Sequence, residues 1–69
     1  MGHHHRIGVD VKWFDTRVNA WNVRQEVAEA IGNGFQEVWL VAHRGFTDGA
    51  YDAADDAEII CELFTEDPT

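Results

Sequence analysis

The chain is poor in cysteine, in positive charge over its last third and in long apolar runs, and each shortage excludes a class of protein. A single cysteine, Cys61, among 69 residues rules out an internal disulfide and fits a reducing compartment. The longest apolar run, Val38 to Ala42, is far short of the ~20 residues a membrane span needs. The opening Met1-Gly2-His3-His4-His5 lacks the apolar centre of a signal peptide. The expectation is a cytoplasmic protein with no membrane attachment. No Lys or Arg follows Arg44, whereas eight carboxylates do: Asp48, Asp52, Asp55, Asp56, Glu58, Glu62, Glu66 and Asp67. The whole formal net charge of -8 therefore sits in the last third. Such a segment repels nucleic acid and membrane surfaces and attracts basic protein surfaces.

Cofactor motifs are missing as well. Gly32-Asn33-Gly34 follows an expected helix instead of preceding one, so it cannot place a helix N-terminus on a phosphate. Gly45 and Gly49 make no phosphate cradle either. The acids around Asp52, Asp55 and Asp56 lack the alternate spacing and glycine of a calcium loop. No cofactor is expected.

What is present is a small apolar chain with local order. Residues 1–5 read as a His-rich tail or purification tag, with His3, His4 and His5 as weak metal-ligand candidates. Residues 6–69 read as one small α/β domain. An apolar share of 45% is too high for a disordered chain. A chain of this size buries only about 60% of its unfolded surface, so metal or self-association is expected to supplement its stability.

Ile7, Val9, Val11 and Trp13 alternate with Gly8, Asp10 and Lys12, the period of a half-buried strand over Ile7 to Phe14. Asp15 and Thr16 are candidate caps for an amphipathic helix over residues 16–31, whose stripe is Ala20, Val23, Val27, Ala30 and Ile31. Gly32-Asn33-Gly34 suits a left-handed stop. Phe35 to His43 reads as a second strand, continuously apolar as expected when both faces are covered. Strand, helix and strand make a βαβ unit with parallel strands.

Residues 44–69 admit two readings. One is an acidic helix over about 48–64, with Ala53, Ala57, Ile60, Cys61 and Phe64 on its apolar side and Pro68 ending the element. The other is a short helix to Ala54, then a third strand over 57–64 with Ile59, Cys61 and Leu63 on one face. Two strands alone are not independently stable, so the first reading requires a second copy and predicts a homodimer.

Three constellations bear on function. On a long helix, Asp48, Asp52 and Asp56 would form one row of carboxylates and Asp55, Glu58, Glu62 and Glu66 another. With Trp21, Phe46 and Tyr51 beside them, they suggest a protein-binding module for a basic partner. Its sharpest form is a DNA-mimic inhibitor of a nucleic-acid-binding protein or nuclease. Asp15 and His43 fall at the carboxyl ends of neighbouring parallel strands, where open α/β sheets place ligands. There His43 would act as a base and Arg44 as an anion clamp, in a small oligomeric enzyme or ligand-binding protein. An engineered scaffold without a natural partner is the third possibility. Cys61, flanked by acids, reads as a buried small hydrophobe.

Overall fold

The computed structural model describes residues 5–66; His3, His4, Asp67 and Pro68, to which tail, ligand and stop roles were assigned above, lie outside them. The elements run β1 (Ile7–Lys12), α1 (Ala20–Gly32), β2 (Glu37–Ala42), α2 (Asp48–Asp55) and β3 (Ile60–Thr65). The strands form one parallel sheet in the order β1-β2-β3. The expected βαβ unit is present, and a second crossover through α2 extends it. Two crossovers of one hand, moving the same way across a sheet, put both helices on the same side.

The third-strand reading of the C-terminal segment is the one that holds. A helix over 48–64 does not form, because α2 ends at Asp55 and the chain turns into β3. The physical reason is pairing. Cys61 and Leu63 come into register with Val38 and Leu40, so their side chains join the core on the same face as Ile59. With three strands, the need for a second copy to complete the sheet disappears.

Local chemistry sets the ends of α1. Its cap is Asn19, not Asp15 or Thr16: the Asn19 side chain accepts from the Asn22 amide at 3.0 Å, and the Asn22 side chain accepts from the Asn19 amide at 3.4 Å. Residues 16–18 cannot join the helix because the chain there is tied to the loop before α2. Val18 N–H donates to Gly45 O at 2.9 Å, and Thr47 N–H to Val18 O at 3.0 Å. At the other end Gly34 adopts φ +82°. Gly34 N–H donates to Ile31 O and Phe35 N–H to Ala30 O, the paired bonds of a Schellman stop. The glycine stop read from the sequence is therefore correct.

The core is Val18, Val23, Val27, Ala30, Val38, Leu40, Ala42, Phe46, Ala50 and Ala53, with Leu40 and Val23 fully buried. Ile31, assigned to the helix stripe, is exposed instead. Phe46, placed above on a binding surface, is 6% exposed and belongs to this core, its ring edge-on to Tyr51.

The main surprise is β1. Its strand ends at Lys12, two residues short of Phe14, and its sides are reversed. Gly8, Asp10 and Lys12 pair with the core-facing Val38, Leu40 and Ala42, so the polar side of β1 faces the helices. Phe35 lies against Gly8 so closely that an added Cβ would sit 3.3 Å from its ring. A side chain at position 8 would need the Phe35 ring to give by a few tenths of an ångström.

Candidate functional site

Because both helices lie on one side, no element among the described residues covers the opposite face of the sheet. Register assembles it in three rows: Ile7, Glu37 and Ile60; then Val9, Trp39 and Glu62; then Val11, Val41 and Phe64. Beyond the third row Trp13 stacks on His43 with ring centroids 4.2 Å apart. Val9 is 60% exposed, Val11 57%, Trp13 62%, Ile60 50% and Phe64 43%. Trp39 and Val41 are half-buried, sheltered by their neighbours on the same face. Trp39 meets Phe64 edge-to-face at 5.6 Å. The expectation that β2 is covered on both sides is therefore wrong. Its second face is apolar but open.

Two carboxylates interrupt this surface. Glu37 accepts from His5 at 2.7 Å and from the Trp39 indole N–H. The His5 and Trp39 bonds hold its carboxyl below the usual value of 4.5, because hydrogen bonds to the ionised form favour it. His5, assigned to the tail, is thus tied to the sheet by one bond. Glu62 is exposed and has no ion-pair partner among the described residues. Its charge, after the larger effect of burial, helps push the Cys61 thiol above 9.0. Cys61, expected as a buried small hydrophobe, is only partly buried, and its raised pKa keeps the thiol protonated and poorly nucleophilic.

The covered side of β1 carries a second cluster that the sequence reading passed over. Lys12 Nζ lies 2.5 Å from Glu26 Oε2 of α1 and 3.1 Å from Asp10 Oδ2. Lys12 and Glu26 keep only 22% and 17% of their side-chain surface. The Glu26 bond raises the Lys12 pKa above 10.5, with Asp10 adding to it against the opposing effect of burial. Asp10 Oδ2 is itself buried and makes no well-formed hydrogen bond, taking only the ammonium contact. Asp10 and Glu26 line a recess of about 120 Å³ with Gly8, Phe35 and Val38. The signal available in the sequence was the spacing Asp10-x-Lys12, two charges on one side of a strand in a parallel sheet.

The remaining sequence-derived residues are dispersed. Asp48, Asp52 and Asp55 are on α2, Asp56 caps it, and Glu58 lies in the following turn. Glu62 is across the sheet from them. The two continuous rows of carboxylates do not form, because α2 has eight residues. Trp21 and Tyr51 are exposed. His43 and Asp15 do follow neighbouring parallel strands, but Asp15 and Arg44 are exposed, and His43 packs on Trp13 instead. His43 Nδ1 is buried without a hydrogen-bond partner among the described residues. Among those residues no group of three His, Cys, Asp or Glu side chains is arranged to hold a metal ion, and no helix is long and apolar enough to cross a membrane. Comparison with known protein families, curated proteins and solved structures finds no match.

Proposed function

We propose that this domain is a protein-binding module whose docking surface is the open face of its sheet. One observation carries the reading: an all-parallel sheet with Val9, Val11, Trp13, Ile60 and Phe64 exposed together on one side. Parallel sheets normally have both faces covered. Contiguous exposed apolar surface on a small protein marks an interaction site. Glu37 and Glu62 on the same face and the charge of -8 make a basic partner the favoured kind. Of the partner-binding carboxylates inferred from the sequence, Glu62 belongs to this face, whereas Asp48, Asp52, Asp55 and Asp56 lie on or at the end of α2. Val11→Asp tests it: the variant should fold with an unchanged circular dichroism spectrum and lose capture of a basic partner protein from lysate. Equal capture by both forms would sink the reading.

A further inference from the structure

We infer that the occupant of the open sheet face is an amphipathic α-helical element of a partner protein, carrying basic side chains on the side that meets the exposed Glu62. The inference rests on the docking face proposed above and specifies the partner's chemistry. Three strands at ~4.8 Å spacing and six residues at ~3.3 Å rise give a footprint of about 14 by 20 Å. A helix with its side chains is about 10–12 Å across. One or two helices therefore cover the face, as α1 and α2 cover the other one.

Charge selects the helix and argues against a second copy of this chain. Among the nine side chains of the three rows the ionisable groups are Glu37 and Glu62, with no Lys or Arg. A second copy would bring its own pair of carboxylates to the same apolar contact and its own net charge of -8, and like charges in an interface oppose association. A basic helix has the opposite sign. Glu37 on β2 and Glu62 on β3 are offset by one strand and by two residues in register, which puts their backbones about 8 Å apart. Residues four and seven apart on a helix rise about 6 and 10 Å. The Glu37 side chain is only 14% exposed and already bonded to His5 and the Trp39 indole. One basic residue of the partner therefore pairs with Glu62, a second one turn away lies over the Glu37 end of the face, and the apolar stripe meets Val9, Val11, Trp39 and Phe64. The footprint is well below the ~800 Å² per partner of a standard interface, so micromolar affinity is expected.

The test uses three synthetic helical peptides with one leucine stripe and, at two positions one turn apart, Arg, Gln or Glu. Binding to the full chain is followed by amide chemical shifts, with sedimentation run in parallel. The Arg peptide should bind at micromolar concentration, at least about tenfold tighter than the Gln peptide, with the gap closing at high salt. Shifts should map to Val9, Val11, Trp39 and Phe64, and Glu62→Gln should narrow the Arg-to-Gln difference. Equal affinity of the Arg and Gln peptides, or no binding by either, overturns the inference. If sedimentation shows a dimer whose shifts map to the same rows and no peptide competes, the helical partner is rejected while the docking face survives. If the chain is a monomer and no ligand perturbs those rows, both fail.

Discussion

The two faces of the sheet carry comparable numbers of apolar side chains and have opposite fates. On one, Val38, Leu40 and Ala42 disappear beneath α1 and α2; on the other, Val9, Val11 and Phe64 stay in solvent. The polar residues are inverted as well, since Lys12 and Asp10 face the helix layer and Glu62 faces outward. Hydropathy alone thus does not tell which side of a strand is core. The side that receives the covering layer is decided by the direction of the crossovers. What remains on the other side is exposed apolar surface.

The comparison breaks first if the covered face is not the source of stability. Leu40 is fully buried, so Leu40→Ala should cost about 2–5 kcal/mol, a large share of what so short a domain possesses. Urea denaturation measures it, and a loss below 1 kcal/mol would contradict the assigned core. The next effect is at Lys12. Lys12→Ala strands the Glu26 and Asp10 carboxylates and should cost about 1–2 kcal/mol, discounted for their partial exposure. Adding Glu26→Gln should recover part of that loss in a double-mutant cycle; strict additivity would show that the ion pair is not coupled.

Titration sharpens the contrast, because the covered face carries groups with raised pKa values and the open face one with a lowered value. Cys61 is held above 9.0 by burial, and Lys12 above 10.5 chiefly by Glu26. A raised folded pKa means that the folded chain keeps a proton the unfolded chain releases. Stability from these groups is therefore intact below pH 9.0 and declines as pH rises past 9.0 for Cys61 and past 10.5 for Lys12. Glu37 is lowered from 4.5 by His5 and Trp39, so its contribution is present above pH 4.5 and lost as pH falls through the folded value. Denaturation midpoints measured against pH should lose part of the alkaline decline in Cys61→Ala and part of the acid decline in Glu37→Gln. An unchanged profile in either variant removes the group from the account.

The smallest expected effect is the most informative about the open face. Val11→Thr changes a side chain that is 57% exposed and should alter stability by no more than about 0.5 kcal/mol. A loss of 2 kcal/mol in the isolated chain would mean that this face is already covered, and sedimentation would then have to show the covering copy.

Much of this was legible in the residues. The period-2 run of Ile7 to Trp13, the α1 stripe of Val23, Val27 and Ala30, the glycine stop at Gly34 and the apolar β2 each name their element, because local sterics and amphipathicity act within a few residues. The Ile59, Cys61 and Leu63 alternation also contained β3, but a helical spacing through Ala57, Cys61 and Phe64 competed with it. Only the register with Val38 and Leu40 separated the two. The cap at Asn19 was hidden for a similar reason: Asp15 and Thr16 are equally good caps in isolation, and the tie between Val18 and Gly45 excludes them from a distance.

The sites followed the same division. Sequence by itself determined the acidic balance, the absence of a disulfide and the identity of the apolar side chains, all of which are properties of residues taken singly or in short runs. The tertiary structure decided which of them meet. It buried Phe46, moved Glu62 to the far side of the sheet from Asp52, brought Glu26 to Lys12 and turned Val9 and Val11 away from the core. Those outcomes depend on strand order and crossover direction, which are set by the joint packing of all five elements and by no single stretch of chain.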